Sequence, residues 1–276
     1  MAVTTDTLER LAYAALAEDV GEGDVTTEAV VDPEASGNAE LLLKEPGVVC
    51  GLGLVEAVFR ALDPDVVVEA LVEEGALVES RTAVARVSGS LRAILTGERT
   101  ALNFLGRLSG IATLARRYVD EVEGTGVAIL DTRKTTPGLR VLDKHAVATG
   151  GGRNHRLALD DGVLIKDNHL RSAVSIHDAV ERVRAVTPLP VEVECDTLDQ
   201  VSEALAAEAD AILLDNMSLD ELLAAVSLAR GRARLEASGG VTLRNVRAIA
   251  ETGVDEISVG ALTHSARSLD VSLELT

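Results

Sequence analysis

Between Asp131 and His169 the chain reads DTRKTTPGLRVLDKHAVATGGGRNHRLALDDGVLIKDNH, with seven Lys or Arg against five Asp or Glu. This segment holds three of the five histidines and three of the four lysines (Lys134, Lys144, Lys166) of a protein whose formal net charge is −19. Arg133, Arg156, Lys134, Lys166 and His155 together suit a small polyanion. Arginine grips a carboxylate or phosphate with two parallel donors, and lysine supplies a point charge. A solvated face on this chain would be made of Asp, Glu and Arg, so the lysines need another reason. Lys144, inside a helical VLDKHAV pattern, reads as structural. His145, His177 and His264 read as surface or packed residues, and His169 as a residue that orients the loop after its strand.

These cations need elements that bring them together. From Val127 onward strand-like runs alternate with helical patterns: VAILD, GVLIKD, VEVEC, AILLDN, RLEAS and EISVG, with SIHDAVERVRAV, TLDQVSEALAAE, SLDELLAAVSLAR and TLRNVRAIAET between most of them. The later strand starts are about twenty residues apart, the length of a βα unit, which implies parallel strands. A β/α barrel with fewer than the usual eight units is expected. An open doubly wound sheet is the alternative, but no glycine-rich fingerprint follows the first strand, and GGGRNHR precedes a strand.

In such a barrel the active site forms at the carboxyl ends of the strands. Those ends are Asp131-Thr132-Arg133-Lys134, then Lys166 to His169, Glu194, Asp215-Asn216, Glu236 to Gly240, and Gly260-Ala261. Cations therefore come from early strands, carboxylates from middle ones and glycines from the last two. Glycine loops there can present bare backbone N–H groups to a phosphate, or be mere tight turns. Glu194 and Asp215 could hold a divalent cation or ribose hydroxyls, or form a structural ion pair with Lys166 or Arg133.

The first hundred residues have another texture. Thr7, or Asp6 before it, is expected to cap a helix with Leu8, Leu11, Ala12, Ala15 and Leu16 on its apolar face. Short β-like runs follow (AELLLKE, VVVEALV, TAVARVSG). A long helix after Ser90 carries Leu91, Leu95, Leu102, Leu105 and Leu108 as its stripe. This half reads as a small α+β domain. At 47% apolar content the 276 residues can bury a large and a small core.

Composition narrows the function. The charge of −19, absent Trp and only two Tyr and two Phe argue against nucleic acid as a partner. The acidic amphipathic N-terminus has no secretory pattern, and no run reaches the length of a membrane span. Cys50 and Cys195 look too few and too isolated for a disulfide framework or a zinc site. A soluble cytoplasmic protein is expected.

RKTTPG, GGGRNHR and LIKDNH, in this order, resemble the signature of the quinolinate phosphoribosyltransferases. GEGDVTTEAV, KEPGVVCG, GERTALNFLGRLSGIAT, ILLDNM, EASGGVTL and VGALTHS extend the resemblance over nearly the whole chain. It implies an N-terminal α/β sandwich domain over 1–112, joined by the C-terminal tail from about 266 to 276, and an irregular six- or seven-stranded parallel α/β barrel over 113–265, in obligate dimers that sometimes form hexamers. The implied reaction joins quinolinate to phosphoribosyl pyrophosphate, giving nicotinate mononucleotide, pyrophosphate and CO2 in NAD biosynthesis. By resemblance, Arg133, His155, Arg156 and Lys166 surround the two carboxylates of quinolinate, with Thr132 beside them, and Lys134 lies near the phosphates. Glu194 and Asp215 contact the ribose and hold Mg2+, directly or through water. Ser238, Gly239 and Gly240, with Val259, Gly260 and Ala261, form the 5′-phosphate loops. Lys134, Lys166, Glu194 and Asp215 are the implied catalytic set. Arg99 resembles a residue that reaches the partner subunit's site, which would make each site composite.

Three rivals stand beside this reading. One is a sister group that accompanies molybdate transport genes and uses another base. A second is a barrel aldolase or isomerase with Lys166 as a Schiff-base amine. The third is a non-catalytic sensor of phosphoribosyl pyrophosphate.

Overall fold

The computed structural model describes residues 3–276; Met1 and Ala2, where the expected first domain begins, lie outside the described residues. The chain forms two compact units. One contains the chain up to Arg116 together with Val141–Gly151 and Ser265–Thr276, and the other contains Arg117–Arg140 and Gly152–His264.

The first unit opens with helices α1 (Thr5–Val20) and α2 (Val25–Val30). The α1 cap is Thr4, not Thr7 or Asp6: its hydroxyl accepts the Thr7 N–H at 3.3 Å, which places Thr7 in the first turn. Leu11, Ala12 and Leu16 are buried as the pattern requires, while Leu8 and Ala15 are half-buried. Next come β1 (Ser36–Leu43), β2 (Gly47–Val48), α3 (Leu52–Leu62), β3 (Val67–Ala70), β4 (Leu77–Val78) and β5 (Thr82–Ser90). The 31-residue helix α4 (Leu91–Glu121) begins in this unit and ends in the next. Its buried face includes Leu102, Leu105 and Leu108 of the expected stripe, but Ile94 and Ala101 take the place assigned to Leu91 and Leu95.

Helix α5 (Arg140–Thr149) falls almost wholly in the first unit, although the expected 113–265 segment ran through it unbroken. The reason is packing. Leu142, Ala146 and Val147 are buried, Arg107 donates to the buried Asp143 at 2.8 and 3.0 Å, and the Arg116 Nε donates to the Gly150 carbonyl at 3.1 Å. Gly150 lies so close to the α4 backbone at Ala112 that no Cβ fits between them.

The second unit contains β6 (Ala128–Leu130), β7 (Val163–Ile165), α6 (Asp167–Leu170), α7 (Ile176–Arg184), β8 (Val191–Cys195), α8 (Leu198–Ala206), β9 (Ala211–Asp215), α9 (Leu219–Ala229), β10 (Arg234–Ser238), α10 (Val246–Ala250), β11 (Glu256–Ser258) and α11 (Ala261–His264). Its six parallel strands run in the order β6-β11-β10-β9-β8-β7. Strands β7 to β11 are neighbours in sequence and in space, without the reversal a doubly wound sheet has, and the first strand pairs with the last. That is barrel winding, interrupted between β6 and β7. At the gap a single parallel bridge, Leu130 to Arg153, stands where a seventh strand would.

Strands β6, β7 and β9 are near-continuous apolar runs, whereas β8 and β10 place glutamates between apolar residues, and side chains cap the helices between them. Thr197 with Gln200 and Ser218 with Glu221 form capping boxes at α8 and α9. Helix α10 is shorter than the TLRNVRAIAET pattern. Asn245 accepts the Thr242 N–H at 2.7 Å and its hydroxyl at 3.0 Å, so a side-chain turn holds the residues that would have begun the helix.

The last strand, β12 (Val271–Leu275), pairs with β1 in the four-stranded antiparallel sheet β12-β1-β5-β3 of the first unit. To reach it, residues 267–269 cross α4 where the helix has glycines. The Leu269 N–H donates to the Gly106 carbonyl at 2.9 Å, and a Cβ at Gly110 would collide with the Arg267 carbonyl. Glu45 completes the clasp by pairing with the Arg267 guanidinium and accepting the Asp270 N–H. Gly110→Ala is therefore expected to lower stability by about 1–3 kcal/mol through overpacking, read as a lower urea midpoint at unchanged m-value.

Candidate active site

The strand pleat selects which residues meet in the barrel. Side chains two apart share a face, so pairs such as Leu164 and Lys166, Leu213 and Asp215, and Glu236 and Ser238 point the same way. With Thr132, Arg133, Lys134, His155, Arg156, Glu194 and Ser258 they line one cavity of about 430 Å3. Nine residues expected at the site thus converge: Thr132, Arg133, Lys134, His155, Arg156, Lys166, Glu194, Asp215 and Ser238.

The cationic loop is held by one buried carboxylate. Asp131 directly follows β6 and accepts from the Asn154 side chain at 2.7 Å and from the His155 N–H at 2.9 Å. The Leu130–Arg153 bridge fixes the same two segments through their backbones, with the Asp131 N–H donating to the Arg153 carbonyl at 3.1 Å. This is why RNHR appears beside DTRK: residues 153–156 lie along β6 rather than along the strand that follows them.

Two more carboxylates lie under the loop. The His155 Nε2 is 3.1 Å from Glu192 and 3.4 Å from Glu236, both buried. Burial opposes a charge on this imidazole, but the hydrogen bonds and charges of Glu192 and Glu236 outweigh it and push the pKa up to about 9. Burial, together with the charge of Glu192, also pushes Glu236 upward. While the His155 Nδ1 accepts the Arg156 N–H at 2.8 Å, the ring carries its proton on Nε2, facing the two acids, and the cluster's second proton resides on their carboxylates.

The other cations are held differently. Lys166 forms an ion pair with Glu194, and its backbone N–H donates to the His169 Nδ1 at 2.9 Å, the loop-orienting role expected of His169. The Lys134 carbonyl accepts the Thr263 hydroxyl at 2.8 Å. Its side chain crosses Gly260, where a Cβ would lie 3.2 Å from the Lys134 Cδ and 3.1 Å from the His264 Nε2. Arg156 donates to the Gly162 carbonyl at 2.9 Å, and burial followed by the charge of Arg133 lowers its pKa. The Nε atoms of Arg133 and Arg156 are both buried and donate to no acceptor among the described residues.

The remaining expected residues do not line the cavity. Gly239 and Gly240 follow β10 with φ of +92° and +60°, and a Cβ on Gly239 would overlap the Asn216 side chain. Gly260 and Ala261 follow β11. The backbone N–H groups of these four donate to no acceptor among the described residues. Val259 differs: it is buried, and its N–H donates to the Leu130 carbonyl at 2.9 Å, so it belongs to the sheet. Arg99 is exposed on α4 in the first unit and forms no ion pair among the described residues.

Glu192, Leu213 and Ser258 were absent from the expected set, and Glu236 appeared only as part of a strand end. Each lies two residues before a strand-end position. Stepping back by one pleat from Glu194, Asp215, Ser238 and Gly260 would have found them.

A barrel whose cavity at the strand ends gathers four Lys and Arg side chains beside His155, two of them with unmatched donors, defines an enzyme for small anionic molecules. The chain matches the model of the quinolinate phosphoribosyl transferase C-terminal domain over residues 111–274 and that of the N-terminal domain over 24–109. It is 46% identical to a probable carboxylating nicotinate-nucleotide pyrophosphorylase of Synechocystis sp., covering 94% of this chain and 90% of that protein. Identity to the carboxylating nicotinate-nucleotide pyrophosphorylase of Mycobacterium leprae is 45%, covering 98% and 96% of the two chains. The solved nicotinate-nucleotide pyrophosphorylase of Francisella tularensis superposes with a TM-score of 0.96 at 39% identity, covering 100% of this chain and 98% of that one. The chain belongs to the quinolinate phosphoribosyl transferase family.

The His155 cluster carries a pH signature. Its folded pKa lies above the ordinary 6.5, so its stabilising contribution is fully present below about pH 6.5 and is lost as pH rises through about 9. Carboxyl 13C and imidazole 15N shifts are expected to report one proton leaving with an apparent pKa near 9, and Glu236→Gln to move that step down. A cluster titrating near 6.5 would show that the acids do not hold the proton.

Proposed function

We infer that this chain transfers the phosphoribosyl group of phosphoribosyl pyrophosphate to quinolinate, releasing pyrophosphate and CO2 and yielding nicotinate mononucleotide for NAD biosynthesis. The observation that carries the assignment to this cavity is the pair of buried Nε donors on Arg133 and Arg156. Two guanidinium groups, with the charge of Arg133 close enough to act on Arg156 and with buried Nε donors unmatched among the described residues, fit a ligand bearing two carboxylates. His155 and Lys166 complete the ring around it, and Thr132 lines the same wall.

In this reading the ring nitrogen's electron pair forms the bond to C1′ as the C1′–O bond breaks and its electrons leave with pyrophosphate. Glu194 and Asp215 lie on neighbouring strands, where their charge stabilises the cationic sugar. Lys134, crossing Gly260, faces the departing phosphates. The free amides of Gly239, Gly240, Gly260 and Ala261 and the Ser238 hydroxyl receive the 5′-phosphate; Val259 supports that loop from within the sheet. Once quaternised, the ring nitrogen accepts electrons as the adjacent carboxylate leaves as CO2, and a proton takes its place on the ring carbon. The protein's part is positioning and charge.

Two carboxylate donors at one cavity wall suit a hard cation that keeps most of its water and takes its other ligands from substrate phosphates. Glu194 and Asp215 would hold Mg2+ in that way, and the bound ion would neutralise charge on the pyrophosphate. Glu194 then shares its carboxylate between the ion and Lys166. That same salt bridge occupies the amine a Schiff-base aldolase would need free. No helix among the described residues is long and apolar enough to cross a membrane, and both cysteines are free and buried, which supports a cytoplasmic setting.

The decisive assay is CO2 release from carboxyl-labelled quinolinate, dependent on both phosphoribosyl pyrophosphate and Mg2+. Nicotinate, which lacks the second carboxylate, is expected to be poorer by at least about a hundredfold in kcat/KM, because it leaves a buried arginine unmatched. Comparable values would overturn the pocket assignment. Lys134→Ala and Lys166→Ala should each remove most activity with the fold intact by circular dichroism.

Arg99 is proposed to act in the partner subunit's cavity of a two-fold dimer. Arg99→Ala and Lys134→Ala, each inactive alone, then complement when co-expressed. About half of randomly assembled dimers are mixed and carry one intact site, so about a quarter of wild-type activity returns. No recovery would place Arg99 outside the partner's site.

A further inference from the structure

Cys50, Glu74 and His145 are far apart in the chain and look unrelated in the sequence, where Cys50 reads as too isolated for a zinc site. In the first unit they meet: one ligand atom from each lies within 4.8 Å of the other two. None of the three lines the cavity described above. From the thiol of Cys50, the carboxylate of Glu74 and the imidazole of His145 we propose a binding site for a divalent ion of the zinc type.

The donor chemistry selects the ion. A sulfur, a nitrogen and a carboxylate oxygen form the mixed set that zinc accepts in tetrahedral geometry, with a water in the fourth place. Hard ions such as Mg2+ do not favour a sulfur ligand. The spacing agrees, because ligands about 2.0–2.3 Å from a common tetrahedral centre stand about 3.3–3.8 Å from one another. His145 Nε2 and Glu74 Oε1 are 3.5 Å apart.

The donors are also held in place before any ion arrives. Ser109 on α4 accepts the Cys50 N–H at 3.0 Å and donates to the Cys50 carbonyl at 3.2 Å, clamping that residue from both sides. Glu74 accepts the N–H groups of Gly51 at 2.6 Å and Leu52 at 3.1 Å. Those bonds use one lone pair on each oxygen and leave another for a metal. The Val49 and Ala76 backbones bond at 2.9 Å, and those of Gly75 and Val49 at 2.8 Å, so the two loops cannot drift apart. His145 comes from α5, whose buried face anchors it in the same unit. Glu74 and His145 are each about one-third exposed, which leaves a path for the ion, while Cys50 is fully buried.

Without metal the thiol stays protonated, because burial and then the charge of Glu74 push its pKa up. Binding replaces the S–H bond by a sulfur–metal bond and releases that proton to solvent. The site ties the loop before α3 to the β4 turn and to α5, all within the first unit.

Cobalt(II) is the direct probe, since a cysteine thiolate on cobalt gives an intense near-ultraviolet charge-transfer band that oxygen and nitrogen ligands do not. Chelator-treated protein titrated with Co2+ is expected to develop that band to one equivalent per chain, to lose it on adding Zn2+, and to keep it in excess Mg2+. Cys50→Ser should abolish the band and weaken zinc binding by about 100-fold or more, measured by competition with a chromophoric chelator. His145→Ala should also weaken it, whereas Cys195→Ser leaves it unchanged. Circular dichroism and retained CO2-releasing activity show that the variants are folded. Absence of the band in wild type, its persistence in Cys50→Ser, or zinc affinity indifferent to both Cys50→Ser and His145→Ala would overturn the proposal.

Discussion

The site depends on keeping cations together before any anion is bound. Arg133, Arg156, Lys134, Lys166 and His155 share one small cavity, and at low dielectric their mutual repulsion would drive the loops apart. The barrel answers with carboxylates placed below and behind them. Asp131 holds the backbone of the cationic loop, Glu192 and Glu236 bracket the imidazole, and Glu194 pairs with Lys166. The compensation is unequal. At the floor the acids outnumber the imidazole, and one oxygen each of Glu192 and Glu236 is buried without a partner, whereas the Nε atoms of the two arginines meet no acceptor among the described residues; in the proposed function the substrate's carboxylates meet those donors.

That inequality comes from the winding of the sheet. Parallel strands taken in sequence order put successive carboxyl ends side by side, and the pleat sorts each strand into two tiers. The upper tier (Lys166, Glu194, Asp215, Ser238) lines the cavity at the strand ends. The lower tier (Leu164, Glu192, Leu213, Glu236, Ser258) supplies the counter-charge and the floor. The gap between β6 and β7 is used as well, since the segment at Arg153 fills it and carries His155 and Arg156 to the cavity wall.

The first unit is organised by close backbone approach. Glycines on α4 admit the returning C-terminal segment, and Gly150 admits α5 beside the same helix. The segment between the two cationic motifs therefore leaves the barrel unit and comes back to it. What reads as one basic run along the chain is two functional pieces separated by a packed helix, in which Lys144 is fully buried.

Much of this was legible from the sequence, and for a physical reason. Helical and strand periods are local, so all six barrel strands, the long helix and the closing strand could be read within a few residues of their ends. Cations concentrated in a lysine-poor chain, at the carboxyl ends of parallel strands, already named the cavity. The order of its motifs named the family. Other features rest on contacts between residues far apart in the chain, where no local period carries a signal. Glu192 and Glu236 became partners of His155 only through strand register. Val259 was taken into the sheet by its bond to Leu130. Helix α5 was assigned by what it packs against, and α10 was shortened by a side-chain turn at Asn245. Cys50, Glu74 and His145 meet only because two loops and a helix are folded onto α4. The sequence by itself determined which elements form and what charge they carry; tertiary structure decided which charges face one another, because that depends on register and packing across the fold.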